Sequence, residues 1–286
     1  MIQCKYNDYG VILLKIYQLT NTTYVQMMGY VIKTEDGKII VIDGGYFGQS
    51  DELYRVLKEV GTDVDLWILT HLHDDHFGSI IEVLDKHPDI KVHSFWRNRN
   101  DSVLSEMDEP TLNGVRQWYD FEERSGLSLY SPVVGDKVNV GDVKVEVLGI
   151  DNPEITGPNI INDQSMVLKI SDDSFSLLIL GDLGILAGRK LLANQGENLK
   201  ADGVQMAHHG QRGVDKDVYE MISPKFAFWP TPKWLWDNYE YGGKGKAGDG
   251  PFKTPQVIEW MKQIGTENVT SFDKTICFDT KIKSTI

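Results

Sequence analysis

The sequence predicts an α+β protein in which two mixed β-sheets pack face to face with helices outside, an αββα sandwich. Three observations predict it. Runs of β-branched and apolar residues recur in two stretches, 23–96 and 137–230. Amphipathic segments with helical spacing fall between and after these runs. A polar, charged stretch, residues 98–126, separates the two strand-rich halves. Two sheets that pack on each other still have outer faces to cover, and the helices are the available cover.

The elements follow in order. TYVQMMGYVIKT (23–34) and KIIVID (38–43) read as strands around an Asp36-Gly37 turn. ELYRVLKEV (52–60) has helical spacing, and DLWILT (65–70) is a short apolar run, a buried strand. SIIEVLDKH (79–87) is helical and KVHSFW (91–96) extended. Residues 98–126 read as a surface insertion with a helix around VRQWYDFEER (115–124). Strands resume with KVNVGDVKVEVLGI (137–150), SMVLKI (165–170) and SFSLLILGD (174–182). ILAGRKLLAN (185–194) is a helix, GVQMAHH (203–209) and FAFWP (226–230) start as strands, and TPQVIEWMKQIG (254–265) is a closing helix. The aromatic, then glycine-rich segment 231–253 reads as a flap, and the whole of 1–286 as a single domain.

Composition excludes several classes. With 286 residues and 41% hydrophobic content the chain can bury a substantial core. No apolar run reaches the ~20 residues of a membrane span. The N-terminus lacks a signal-peptide pattern, so the expectation is a cytoplasmic protein without membrane association. Forty-two acidic against 29 basic residues leave a net charge of −13, which disfavours nucleic acid. Arg97, Arg99, Lys244 and Lys246 are the nearest approach to a basic patch, and they form no stripe. The two cysteines, Cys4 and Cys277, read as thiols in a reducing compartment.

The chemistry concentrates in THLHDDHFGS (70–79), between an apolar strand and a helix. His71, His73, Asp75 and His76 crowd this loop, and imidazole and carboxylate are the ligands a divalent cation such as zinc prefers. Histidines at i and i+2 keep two rings on one side of an extended segment. Adjacent Asp75 and His76 turn toward a second position, so one loop can serve two ions. Asp74 falls outside the pattern. Of seven histidines, three lie here and two more are His208 and His209. His87 reads as a helix-terminal residue and His93 as a packing or supporting group.

His71-x-His73-x-Asp75-His76 after an apolar strand resembles the signature of the metallo-β-lactamase superfamily. VIDGG (41–45) resembles an upstream motif whose aspartate, here Asp43, supports the metal loop. LILGDL (178–183) resembles the strand ending in a metal-bridging aspartate, here Asp182, and AHHG (207–210) the last histidine motif. The resemblance implies a hydrolase with two divalent ions, zinc first and manganese or iron as alternatives, that lower the pKa of a shared water. It implies His71, His73, Asp75, His76, Asp182 and His208 as metal ligands. Asp75 would also orient the nucleophile, and His209 would be a supporting, proton-donating or oxyanion-contacting residue; the reverse assignment of His208 and His209 stays open.

The family's additional histidine has no counterpart, because none stands between His93 and His208. NIINDQSMVLKI (159–170) occupies that region. N-x-x-S, GD and HHG together are similar to the branch holding the hydrolase domain of DNA-uptake proteins and related phosphodiesterases. Asn162 then stands where the missing ligand would be, as a weaker oxygen ligand or as a loop-holding residue. Gln211 replaces that branch's usual serine. The expected substrate is a small phosphodiester or related ester. The alternatives are a lactonase, thioesterase or β-lactam hydrolase, or a metal-binding scaffold without activity. Within the flap, Trp229 is expected in the core and Trp234 or Trp236 against substrate; the alternative is that these rings close the core and the glycines form an idle surface loop.

Overall fold

A computed structural model of the chain describes residues 14–99 and 101–280. Its first half comprises β1 (Lys15–Gln18), β2 (Gly29–Lys33), β3 (Ile39–Asp43), α1 (Ser50–Val60), β4 (Asp63–Val64), β5 (Leu66–Leu69) and α2 (Asp74–Lys86). It continues with β6 (Lys91–Val92), β7 (Phe95–Arg97), α3 (Glu109–Ser125) and β8 (Leu129–Tyr130). The second half comprises β9 (Lys137–Val140), β10 (Val143–Gly149), β11 (Val167–Ser171), β12 (Ser176–Ile179), α4 (Ile185–Gln195) and β13 (Gly203–Gln205). After these come α5 (Lys216–Ile222), β14 (Phe226–Trp229), α6 (Lys233–Trp236), α7 (Thr254–Ile264), β15 (Glu267–Thr270) and β16 (Ile276–Asp279).

Two seven-stranded mixed sheets result, in the orders β16-β1-β2-β3-β5-β7-β8 and β15-β14-β13-β12-β11-β10-β9. The period of two along each strand creates three cores. Ile40, Ile42, Leu66 and Ile68 of the first sheet meet Val145, Leu168, Ile170 and Phe228 of the second. The alternate residues Val41, Trp67 and Leu69 turn outward onto α1, α2 and α3. Leu178, Val204, Met206 and Trp229 turn outward onto α4, α5 and α7. This is the expected sandwich.

Three readings change. The 98–126 stretch is no surface insertion: α3 buries Val115, Trp118 and Phe121, and Trp118 packs against Phe77 and Phe95. Arg97 is buried and paired with Glu122, in keeping with the reading of no basic stripe. The closing helix does not end the fold, because β15 extends the second sheet and β16 closes the first against β1. Cys277 is disulfide-bonded rather than a thiol, while Cys4 lies outside the described residues. Among the described residues no helix is long and apolar enough to cross a membrane.

Candidate metal centre

The site lies where β3, β5 and β12 end and the loop after β13 turns. β3 and β5 run parallel, which sets Asp43, at the end of β3, beside Thr70. Asp43 accepts from the Thr70 amide at 2.7 Å and from the Thr70 hydroxyl at 2.8 Å. Its Oδ2 also accepts from His76 Nδ1 at 2.6 Å. A carboxylate on Nδ1 fixes the ring and leaves Nε2 facing the site. Burial pushes the Asp43 carboxyl up, against the opposing pull of His76 and Thr70. Asp43 thus ties the His76 ring to the start of the loop at Thr70.

On the same loop, His71 Nδ1 meets the Thr70 hydroxyl at 3.1 Å, and His71 Nε2 lies 3.2 Å from His73 Nδ1. His73 precedes the first turn of α2, Asp75 and His76 are buried within that turn, and Asp74 is exposed. Opposite them stands Asp182, whose amide donates to Ser165 Oγ at 3.0 Å. Gly181 before it has φ +57°, and a Cβ there would fall 2.8 Å from Ser165. Ser165, the serine of N-x-x-S, thus positions Asp182, and the motif itself was the signal for it.

His208 and His209 form the remaining wall. Both adopt left-handed backbone, φ 49° and 53°, followed by Gly210 at 75°. A Cβ on Gly210 would come 2.4 Å from the Trp229 ring. Left-handed backbone on a non-glycine residue costs about 1–2 kcal/mol, so packing must enforce it. The His208 amide donates to the Gly181 carbonyl at 3.0 Å, and the Thr231 hydroxyl to the His209 carbonyl at 2.7 Å. The turn sends the two rings apart. His209 Nδ1 meets the Pro230 carbonyl at 3.0 Å, and its Nε2 lies 3.1 Å from Asp75 and 3.3 Å from Asp182. His208 Nε2 is 3.8 Å from Asp182, and its side chain lines the adjoining cavity. In the structure His209 converges with the carboxylates, whereas His208 faces the opening, an arrangement that matches the alternative left open for the pair.

Two groups of donors emerge, each with ligand atoms within 4.8 Å of one another: His71, His73 and Asp182, and Asp75, His76, Asp182 and His209. Asp182 belongs to both. Its carboxyl, pushed up by burial, is held well below the usual range because His209, His76 and His208 outweigh that effect. Burial lowers His209, but Asp182 and Asp75 overcome it and push the ring up to about 10. His76 is likewise held well above its ordinary value against burial, by Asp182, Asp43 and Asp75. Burial lowers His71 and His73, which favours the neutral ring that can offer a lone pair.

The donor set fits metal ions. Asp182 Oδ1 is buried without a hydrogen-bond partner, and His76 Nε2 and His209 Nε2 face the carboxylates of Asp75 and Asp182, at 3.1–3.9 Å. An unsatisfied buried oxygen costs about 1–3 kcal/mol, and a cation among these atoms would satisfy it while taking the lone pairs of both rings. Asn162 is buried too; its Oδ1 has no partner, which does not support the loop-holding reading. Its neighbours hold that segment instead: Gln164 Nε2 donates to the Asn152 and Ile160 carbonyls at 3.2 and 3.1 Å.

A cavity of about 310 Å³ opens beside the donors, lined by Gln26, Leu72, Asp75, Thr111, His208 and Tyr241 among others. Trp234 and Trp236 are not among its lining residues, which favours the reading in which these rings close the core. Trp236 stacks edge-on against Trp229 and Phe272, at 5.0 and 5.2 Å, so it is core packing. Trp234 packs on Tyr241 at 5.4 Å and supports the ring that does reach the cavity. Trp229 is fully buried, as expected. The 231–253 segment is pinned by Asn238, whose amide donates to the Gly250 carbonyl at 2.8 Å. His87 stacks on Tyr54 at the end of α2, and His93 pairs with Asp63 on the surface.

A sequence profile of the metallo-β-lactamase superfamily matches residues 25–225. The chain is 27% identical over 208 residues to ComE operon protein 3 of Bacillus subtilis (strain 168), covering 67% of this chain and 25% of that protein. It therefore spans about a quarter of that relative's length. The match agrees with the branch read from N-x-x-S, GD and HHG. Among solved structures, the metallo-β-lactamase fold protein YhfI from Bacillus subtilis superposes with a TM-score of 0.58 at 11% identity, covering 93% of this chain and 99% of that one. Unliganded yeast PDE1 gives 0.53 at 10% identity, covering 94% and 99%. CmlA, a diiron β-hydroxylase from Streptomyces venezuelae, gives 0.57 at 10% identity, covering 95% and 55%. These likenesses show the fold, and the hydroxylase shows that the fold alone does not fix the reaction. Profile, motifs and converging donors together place the chain in the metallo-β-lactamase superfamily, as a metallo-hydrolase.

Proposed function

We propose that the chain hydrolyses a small phosphodiester or related ester with two divalent ions, zinc being the favoured metal. The observation that carries this reading is Asp182, shared by two adjacent donor groups beside an open cavity. His71 and His73 would hold one ion; Asp75, His76 and His209 would hold the other. Asn162 is the proposed additional oxygen donor. Bound there, two cations would supply the Lewis acidity that activates water and steadies charge on the attacking and leaving oxygens.

The chain's own residues do the rest. Asp43 and the Pro230 carbonyl fix the tautomers of His76 and His209. Asp75, held ionised, orients the attacking water. His208, which burial keeps below its ordinary pKa, faces the cavity as a neutral ring able to receive or return a proton. Tyr241 and Thr111 line the wall where a leaving group would rest.

Among the described residues lining this cavity there is no lysine or arginine, whereas Asp74 and Asp75 both face it. That favours a substrate with one anionic reacting centre over a polyanion, and with the net charge of −13 it argues against nucleic acid as a partner. A carbonyl substrate, such as a lactone, thioester or β-lactam, is the second reading; the apolar Val25, Leu72 and Pro110 in the same lining support it. A zinc- or manganese-loaded enzyme tested on bis(p-nitrophenyl) phosphate, a thioester, a lactone and a chromogenic β-lactam separates them. The phosphodiester should turn over fastest; turnover of a carbonyl substrate alone would replace the first reading with the second.

A further inference from the structure

We propose that a second cavity, beside the metal centre, binds a small amphipathic anion. It encloses about 450 Å³ between the 156–163 segment, the first turn of α4, the loop after His209 and the start of α7. Part of its lining is apolar and wet. Ile185 is 43% and Leu186 58% exposed, and Trp260 lines the same space. A single exposed leucine is ordinary, but apolar side chains grouped with an indole in a concavity form a binding surface.

The charges select the ligand. Arg212 and Lys253 line this cavity, and neither has an ion-pair or hydrogen-bond partner for its side chain among the described residues. The carboxylates in the same lining are committed. Asp163 accepts from the Gly184 amide at 3.0 Å and so caps α4, and Asp215 pairs with Arg189 at 2.8 Å. Two uncommitted cations beside an apolar surface, in a chain of net charge −13, suit a carboxylate, sulfonate or phosphate head on an apolar body. The metal cavity has the opposite character, with aspartates and neither lysine nor arginine among its described lining residues.

A partition joins the two cavities. Gln211 lines the second cavity, and its amide donates at 3.3 Å to Oε1 of Gln26, which lines the first. Gln211 follows the His208-His209-Gly210 turn directly, and Ile185 follows Asp182 by three residues. The anion is thus either the non-reacting end of the substrate or a separate ligand.

The test uses 8-anilinonaphthalene-1-sulfonate as the fluorescent probe and decanoate as competitor, on the chain with and without zinc. Binding needs no turnover, so its outcome is independent of the hydrolysis assay. Saturable one-to-one binding, displaced by decanoate, is expected. The double variant Arg212→Gln/Lys253→Gln should weaken it about tenfold or more, the scale of one charge-assisted contact. Leu186→Asp should do the same, while Lys244→Gln/Lys246→Gln should leave it unchanged. All these positions are exposed, and circular dichroism checks that the variants fold. Absence of saturable binding, or equal affinity in the Arg212/Lys253 variant and the parent, would overturn the proposal. Given binding, competitive inhibition of hydrolysis by decanoate assigns the site to the substrate's far end; binding without inhibition assigns it to a separate ligand, and the site stands in both cases.

Discussion

The first sheet presents four candidate metal donors on one strand-to-helix loop, whereas the second presents two on separate loops. The difference extends to how they are held. His76 is braced by a buried carboxylate, Asp43, which also grips Thr70 through two hydrogen bonds. His209 is held by a left-handed turn, locked by Gly210 against Trp229 and by backbone bonds to neighbouring strand ends. The loop is organised by polar contacts and the turn by enforced backbone. Asp182, anchored by Ser165, is where the two schemes meet.

Asp182→Ala breaks the comparison outright, since both donor groups lose a member. Hydrolysis should fall by about 10³-fold or more, with lower metal content and unchanged circular dichroism. A folded Asp182→Ala protein with near-normal turnover would remove the shared carboxylate from the account.

The adjacent histidines give the next largest effect. His209→Ala should cost about one bound ion per chain, because it removes a ligand of a four-donor group. His208→Ala should keep its metal and lose turnover, as expected for a ring that faces the cavity. Elemental analysis of both variants decides it, and the opposite pattern would restore His208 as ligand.

Removing the brace sharpens the comparison further. Asp43→Asn keeps the shape but not the charge behind His76. Metal affinity should fall by about 10–100-fold, measured by competition with a chelator. If affinity is unchanged, the loop is held by its backbone as the turn is.

How far the sequence could be read follows the same division. The loop donors are contiguous, so His71, His73, Asp75 and His76 stood out together, and the strand pattern placed Asp43 and Asp182 at strand ends. The resemblance alone sets His208 ahead of His209, because which ring turns inward depends on three successive positive φ values, and a residue pattern does not show them. Residues 98–126 misled because their polar side chains outnumber Val115, Trp118 and Phe121, yet those three at helical spacing carry the packing. β15 and β16 were missed because Glu267–Thr270 is mostly polar and buries only Val269, and Ile276–Asp279 holds just three apolar residues. The aromatic segment was recognised as neighbouring the site, but which ring reaches the cavity depends on tertiary packing.

The smallest expected effects lie in that segment. Trp236→Ala should destabilise the protein by about 2–4 kcal/mol, read by denaturant unfolding, with normal turnover per folded molecule. Tyr241→Ala should leave stability within about 0.5 kcal/mol and raise KM. The reverse result would return Trp236 to the substrate wall.

The central claim is that two adjacent donor groups share Asp182 and hold two ions. Elemental analysis of the zinc-loaded chain after extensive dialysis tests it most directly. About two ions per chain are predicted, falling to one or fewer in Asp182→Ala; a parent chain that retains none, or an Asp182→Ala chain that still retains two, would contradict it.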